Sequence, residues 1–349
     1  MTFKVFVDGQ EGTTGLKIFS YLNARPDIEI LTIASEFRKD IHARCELANK
    51  ADIVFLCLPD AASQSVVKFF LDSYPNNKHT CLIDTSTAFR THLDWAYGLP
   101  ELNAKQRKII QASKKISVPG CHASAFILSV KPLIDAELIA PTHPIVAHSL
   151  TGYSGGGKKM IACYQNSQDS QYNESPQLLQ KGELQINSQL SLLPPPLSSP
   201  RPYALNLCHK HLPEMQQQSG LKQAPIFLPI VANYFQGLAV TTYWHLNQFT
   251  RKTTLEEVKA CLYKRYRTER FIKVLGGEID EPSLNNLDDG FYNVQACNHT
   301  NRVDIGVFGN DSQIVVMARL DNLGKGASGA AIQCMNLALG VDENQGLKI

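Results

Sequence analysis

The sequence predicts an α/β protein of two domains: a doubly wound domain built on a parallel sheet, followed by an α+β domain with a mixed sheet. The first sixty residues alternate short apolar strands with helical patterns. Further along, strand-like segments over 226–246 and 303–320 flank a helical pattern over 255–266, which a capping box of Thr254 and Glu257 opens. A length of 349 residues, 44% of them hydrophobic, also exceeds what one core commonly organises.

The opening segment is typical of a dinucleotide-binding turn. An apolar strand over 3–7 leads into Gly9, Gly12 and Gly15, and an amphipathic helix follows. Glycines in such a turn let the backbone approach a pyrophosphate, which binds the amides at the helix N-terminus. The glycines alone also fit an ordinary turn, but the flanking strand and helix favour a Rossmann-like domain. The residues expected to bind the nucleotide there are Gly9, Gly12, Thr13, Thr14 and Gly15.

The end of the second predicted strand favours NADP(H) as that nucleotide. Ser35, Arg38 and Lys39 offer a hydroxyl and two cations for a 2′-phosphate, whereas Glu36 would instead accept a hydrogen bond from a ribose hydroxyl. Arg38 and Lys39 could also be a solvated surface pair. Further cofactor contacts are expected at Pro59, Ser154, Gly155 and Asn322.

Cys121 is the predicted nucleophile. It follows Pro119-Gly120 and precedes an apolar helical pattern, so its thiol is expected at a helix N-terminus, where the dipole stabilises a thiolate. The small residues over 123–125 leave room for an acyl group to approach. For the other eight cysteines, burial without chemistry is the better interpretation.

The stretch "HKHLPE" supplies the candidate acid/base. In an extended segment, His209 and His211 would share one face and Lys210 would take the other. We predict that His211 transfers the proton, with His209 as the alternative. A metal site with Glu214 as third ligand is a further interpretation, but no other ligand cluster accompanies the histidines, so no metal is expected.

Three charged residues are candidate contacts for the substrate. Arg90 ends the stretch "DTSTAFR", Glu101 ends the proline turn "YGLPE", and Lys158 follows the glycines of "SGGGKK". Structural roles are the alternative for each of them. Residues 165–202 are rich in Gln, Ser, Asn and Pro, which predicts an irregular excursion with little core.

Composition restricts the partners. With 34 basic and 32 acidic residues the net charge is +2, which excludes the concentrated basic surface of a nucleic-acid-binding protein and favours small molecules. Nine scattered cysteines without a CxxC pair predict a reducing cytoplasm. The sequence shows neither a signal peptide nor an apolar run long enough to span a membrane, so no membrane partner is expected.

Five motifs in combination give a resemblance that covers nearly the whole chain. The sequence resembles the N-acetyl-gamma-glutamyl-phosphate reductases, in their shorter form, of the semialdehyde dehydrogenase superfamily. The motifs are Gly9-x-x-Gly12-x-x-Gly15, Pro119-Gly120-Cys121, Ser154-Gly155-Gly156-Gly157, His209-Lys210-His211-Leu212-Pro213-Glu214 and Asp321-Asn322-Leu323.

The resemblance implies an arginine-biosynthesis enzyme that reduces N-acetyl-L-glutamyl 5-phosphate with NADPH through a thioester on Cys121. It also implies an NADP-binding domain over 1–120, completed by a C-terminal helix within 321–349, and a catalytic and dimerisation domain over 121–320. A homo-oligomer, either a dimer or a tetramer, is expected. The alternatives are an aspartate-semialdehyde dehydrogenase, a Cys-His acyl hydrolase without a cofactor, and an inactive NADP sensor.

Overall fold

The structure, a computed structural model, describes residues 2–171, 197–276 and 287–349. The first part of the chain alternates short strands with helices and forms one sheet. The strands are β1 (Phe3–Asp8), β2 (Ile28–Leu31), β3 (Ile53–Leu56), β4 (Cys81–Asp84), β5 (Ala96–Tyr97) and β6 (Lys115–Ser117). The helices between them are α1 (Thr13–Asn23), α2 (Ile41–Lys50), α3 (Asp60–Ser73) and α4 (Gln106–Ala112).

The six strands are all parallel, in the order β2-β1-β3-β4-β6-β5. Strands β3 and β4 are buried throughout, as a parallel sheet covered on both faces requires. On one face Val66 and Phe70 of α3 pack beside α2, and on the other Ile18 and Leu22 of α1 pack against the strands. This arrangement confirms the predicted doubly wound, Rossmann-like fold.

The rest of the chain builds a second, mixed sheet. Its strands are β7 (Val146–Gly152), β8 (Arg201–Pro202), β9 (Ile226–Ala232), β10 (Leu238–His245), β11 (Ile272–Val274), β12 (Val303–Gly309) and β13 (Gln313–Leu320). The remaining helices are α5 (Cys121–Asp135), α6 (Gly157–Gln171), α7 (Leu212–Ser219), α8 (Leu255–Tyr266) and α9 (Gly329–Leu339).

The second sheet has the order β11-β12-β13-β10-β7-β9-β8, with β7 parallel to β9, β11 parallel to β12, and the other pairs antiparallel. Helix α5 packs on one face of it, with α7 and α8 beside α5. The other face is partly exposed, with apolar or aromatic side chains such as Val146, Ile226 and Tyr243. The predicted mixed sheet with helices is therefore confirmed, and α8 begins at the predicted capping box of Thr254 and Glu257.

The end of the chain returns to the first sheet. Helix α9 lies there beside α1, and its Ile332 and Met335 join the core of that sheet. The predicted excursion over 165–202 begins inside α6, which continues to Gln171, and its part over 172–196 lies outside the described residues. Among the described helices, none is both long and apolar enough to cross a bilayer.

Candidate active site

Three neighbouring cavities follow the carboxyl edge of the first sheet. The first has a volume of about 340 Å³ and is lined by Cys121, His211, Thr13 and Thr14. The second, of about 270 Å³, shares Thr13, Thr14 and Arg90 with the first. The third, of about 420 Å³, shares Gly12 and Pro59 with the second and continues past Gly9. An elongated ligand such as a dinucleotide fits this arrangement, at the sheet edge where doubly wound folds bind nucleotides.

The glycine turn at the sheet edge leaves no space for a side chain at Gly9 or at Gly15. Gly9 has a φ of +85°, and a Cβ there would lie 2.3 Å from the Cys57 carbonyl oxygen. A Cβ on Gly15 would lie 2.5 Å from the carbonyl oxygen of Gly9, so this third glycine allows the helix to approach the turn. Gly12 precedes the first residue of α1, where free amides are available to a phosphate.

The third cavity, at the end of the row away from Cys121, has basic side chains in its wall. Arg38 and Lys39, the predicted contacts of a 2′-phosphate, are both part of its wall, but Arg38 is paired with Glu11 of the glycine turn. Ser35 is exposed, donates to Glu36 at 3.3 Å and is not among the described residues of this wall. Arg44 of α2 lines the cavity as well, and the sequence does not single it out because a single basic residue in a helix carries no pattern.

Cys121 is the first residue of α5, directly after Gly120 at the N-cap position. Its thiol is partly buried and lines the first cavity. Burial nevertheless raises the pKa of the Cys121 thiol to about 11, because desolvation outweighs the His122 amide and the charges of Arg90 and Lys210. The stabilisation of a thiolate predicted for this helix position is thus opposed by desolvation, which has the larger effect on the pKa.

Two histidines lie beside the nucleophile, each with a ring nitrogen within 4.8 Å of the Cys121 sulfur. Both ring nitrogens of His122 contact hydroxyls, whereas His211 Nδ1 is buried without a hydrogen-bond partner among the described residues, so His211 is the better candidate. Burial, together with the charge of Arg90, lowers the pKa of His211 well below its usual value, so the imidazole is neutral and can accept a proton. His209 packs against it, with ring centroids 4.7 Å apart, and its Nδ1 accepts from the His211 amide.

Glu214 holds the turn before the nucleophile in place. Its carboxylate accepts hydrogen bonds from Arg90 Nη1 at 2.7 Å, from the Tyr97 hydroxyl at 2.8 Å and from the Gly120 amide at 3.1 Å. A Cβ on Gly120 would lie 2.4 Å from His211 Nε2 and 2.6 Å from Arg90 Nη1, so only glycine allows both side chains to approach. Because its carboxylate is occupied in this way, Glu214 is not available as the metal ligand considered from the sequence.

The far wall of the first cavity comes from the second sheet. Asn322 donates to the Ser154 hydroxyl at 2.9 Å and accepts from the Gly237 amide at 2.8 Å. Ser154, Gly155 and Asn322 all line the cavity together with Thr13 and Thr14, so the structure brings these predicted cofactor contacts together. Tyr203 lines it too, and its hydroxyl contacts His122 Nε2 at 3.1 Å.

Two of the three predicted substrate contacts lie elsewhere. Arg90 lines both the first and the second cavity, and its buried Nε has no partner in the described parts of the chain. Glu101 is fully buried in an ion pair with Lys325, and Lys158 is exposed at the start of α6; neither is part of the wall described for these cavities. Lys210 lines the first and second cavities instead, because its segment is a turn rather than a strand.

Comparison with known proteins gives the class of the chain. The model of the semialdehyde dehydrogenase NAD binding domain matches residues 4–110, and that of the semialdehyde dehydrogenase dimerisation domain matches residues 121–178 and 188–322. These matches agree with the glycine turn and with a cysteine at the junction of the two regions. The class is therefore that of the semialdehyde dehydrogenases, and the expectation of a nicotinamide dinucleotide cofactor is confirmed.

Curated relatives narrow the class. A protein of Nostoc sp. (strain PCC 7120) is 39% identical over 350 residues, covering 99% of both chains, and one of Pseudomonas putida is 36% identical, covering 98% of both. Both are named N-acetyl-gamma-glutamyl-phosphate reductase 2. The chain belongs to the N-acetyl-gamma-glutamyl-phosphate reductase family, as the sequence motifs predicted.

Solved structures share the fold at much lower identity. The aspartate semialdehyde dehydrogenase of Francisella tularensis has a TM-score of 0.69 and 15% identity, covering 96% of this chain and 99% of its own. Aspartate semialdehyde dehydrogenase II of Vibrio cholerae has a TM-score of 0.66 and 16% identity, covering 97% and 99%. At this identity the solved structures support only a common fold. The curated relatives, which are much more similar, do not favour the alternative of an aspartate-semialdehyde dehydrogenase.

Proposed function

We propose that the protein reduces N-acetyl-L-glutamyl 5-phosphate with NADPH to N-acetyl-L-glutamate 5-semialdehyde and phosphate, a step of arginine biosynthesis. One observation carries the proposal: Cys121 lies at a helix N-terminus within 4.8 Å of a neutral His211, in a cavity whose wall includes Thr13 and Thr14, which directly follow the glycine turn. A nucleophile beside a dinucleotide turn is what a covalent acyl reduction needs, whereas a hydrolase has no use for the turn.

The first chemical step is acyl transfer to Cys121. The sulfur attacks the acyl carbon and forms the thioester, the acyl–oxygen bond breaks, and phosphate leaves. Because the thiol has a raised pKa, His211 takes its proton as the sulfur–carbon bond forms and passes it to the departing phosphate. Arg90 and Lys210 line the cavity here and stabilise the negative charge of the phosphate.

The residues at the sheet edge fit the cofactor. Gly9, Gly12 and Gly15 allow close approach of a pyrophosphate to the N-terminus of α1, and Arg38 and Lys39 offer charge for a 2′-phosphate. Other residues that would hold it are Thr13, Thr14, Pro59, Ser154, Gly155 and Asn322. Bound NADPH supplies the hydride that reduces the thioester carbonyl.

The final step restores Cys121. The reduced carbon carries both sulfur and an alkoxide, whose collapse expels the sulfur as thiolate and releases the semialdehyde. His211, which gave up the thiol proton to phosphate during acylation, takes a proton from solvent and passes it to the sulfur, which returns to its thiol form. The same side chain therefore acts as the base in acylation while it is neutral, and as the acid in release after it has taken a proton from solvent.

The test is NADP-linked, phosphate-dependent oxidation of N-acetyl-L-glutamate 5-semialdehyde. We expect Cys121→Ala to abolish turnover while the protein still binds NADP, and the matched control Cys208→Ala, at an exposed cysteine, to keep wild-type activity. L-aspartate semialdehyde serves as the competing substrate. Equal turnover of both aldehydes would refute the substrate, and an active Cys121→Ala variant would refute the mechanism.

We further propose a division of labour and a homo-oligomer. Residues 1–120 with 321–349 would bind NADP, and 121–320 would bind the substrate and form the contact between copies. The partly exposed apolar face of the second sheet supports this contact, as does the dimerisation-domain model that matches the same region. Nine free cysteines support a reducing cytoplasmic location. Light scattering of the purified protein tests the oligomer.

A further inference from the structure

The chain returns from the second sheet to the first through a wide helical turn, Gly324–Ser328, with π-helical hydrogen bonding. This turn contacts both halves of the active site. A Cβ built on Gly326 would lie 2.6 Å from Cβ of Cys121, so the turn packs directly on the nucleophile. Ser328 donates a hydrogen bond at 3.3 Å to the carbonyl of Thr14 in the cofactor turn. The five residues of this turn therefore connect Cys121 with the cofactor turn at Thr14. The separation between the nucleophile and the cofactor matters for hydride transfer.

The side chain of Lys325 anchors this turn from behind. It is fully buried, and its ammonium donates to both carboxylate oxygens of Glu101 at 2.8 and 2.9 Å and to Gln333 Oε1 at 2.5 Å. The Gln333 amide donates back to Glu101 at 2.8 Å, and Arg265 donates to the Glu101 carbonyl at 2.6 Å. The turn is thus tied to the segment Pro100–Leu102, to α9 and to α8 at once.

A buried ion pair of this kind is a poor way to gain stability. Removing both charges from water costs free energy that their attraction only offsets, and apolar side chains of similar volume often stabilise a fold as well. What the pair adds is directional hydrogen bonding, which fixes the position of the backbone that carries it. Its placement directly behind the turn that contacts Cys121 and Thr14 points to a role in geometry.

We propose that Lys325 and Glu101 are positioning residues that set the distance between the Cys121 thioester and the cofactor turn. The inference rests on the proposed function and adds to it a role for two residues that contact neither substrate nor cofactor. A displacement of about 1 Å between reacting groups can cost about a hundredfold in rate, so a turn released from its anchor slows reduction without preventing NADPH from binding.

The decisive variant is the double substitution Glu101→Leu with Lys325→Met, which replaces the pair by apolar side chains. Single Lys325→Met leaves a buried carboxylate unpaired, so we expect its Tm to fall by at least about 5 °C. The double variant should regain most of that Tm and keep the NADPH Kd within about threefold, yet lose at least about tenfold in kcat. Recovery of kcat together with Tm would overturn the proposal, because it would mean that the pair only stabilises the fold.

Alkylation of Cys121 by iodoacetamide without cofactor gives a readout independent of turnover. In the double variant the turn no longer packs firmly on the thiol, and we expect the rate to change by at least about threefold. An unchanged alkylation rate with an unchanged kcat contradicts the proposal. Should the double variant fail to fold, Glu101→Gln replaces it: a folded protein with severalfold lower kcat supports positioning, and wild-type kcat opposes it.

The matched control is the pair Arg25 and Asp27, which lies outside the cavities and ties the α1–β2 loop to Asn336 of α9. Arg25→Met with Asp27→Leu should change Tm without changing kcat. Wild-type turnover of the N-acetylated semialdehyde is measured first, so absence of activity there counts against the proposed function. Activity in the wild type and in the double variant alike counts against the positioning role alone.

Discussion

We expect Cys121 to enter the reaction as a thiol, and the pH dependence of its alkylation tests this expectation. Desolvation at the start of α5 raises its pKa from 9.0 to about 11, against the lowering effects of the His122 amide and of Arg90. That difference corresponds to about a hundredfold less thiolate at neutral pH, or about 2.7 kcal/mol against ionisation. Raising the pH favours the thiolate, so the rate of alkylation should rise about tenfold for each pH unit up to at least about pH 9.5.

The assay follows iodoacetamide labelling of the Cys121 peptide by mass spectrometry between about pH 6.5 and pH 9.5. Labelling of the exposed Cys208 in the same digests checks the reagent and the digestion. His211 is neutral, so His211→Gln should leave the shape of the profile unchanged. A plateau below about pH 8 that is lost in His211→Gln would refute the reasoning, since it would reveal a preformed thiolate–imidazolium pair.

Three further substitutions test separate features. Gly120→Ala inserts a Cβ 2.4 Å from His211 Nε2, and we expect kcat to fall at least about a hundredfold with NADPH binding retained; a kcat within about threefold of wild type would contradict this geometry. Glu11→Gln frees Arg38 from its ion pair, so the Kd for NADPH should decrease by up to about fivefold in a fluorescence titration, while the Kd for NADH stays the same. Equal changes in the two Kd values would contradict a contact between Arg38 and the 2′-phosphate. Thr254→Ala removes the cap of α8 and should lower the free energy of unfolding by about 1 kcal/mol in urea without changing kcat; an unaltered denaturation midpoint would show that the cap contributes nothing.

Features set by neighbours in the chain were predictable from the sequence. The strand, glycine turn and helix around Gly9–Gly15 follow from hydrophobic period and backbone freedom, and so do the position of Cys121 at a helix start and the capping box at Thr254. Each depends on residues within about one helical turn, where local rules are strongest.

Features set by distant residues were not predictable in this way. Glu101 looked available to a substrate because the sequence does not show that Lys325, 224 positions later, would bury it. Lys210 would lie on the opposite face from the two histidines only in an extended segment, and the segment instead forms a turn. The pKa of Cys121 likewise depends on packing that only the assembled cavity provides. Tertiary burial therefore decided the roles that local pattern left open.

The return of α9 to the first sheet means that the chain passes between the two sheets twice, over 118–120 and over 321–328. Non-covalent bonds join the two regions at the same place, because Glu214 accepts hydrogen bonds from Arg90 and Tyr97. Cys121 and Gly326 are in contact where the two crossings meet. The nucleophile therefore lies at the seam between the sheets, and its position depends on both of them rather than on either one alone.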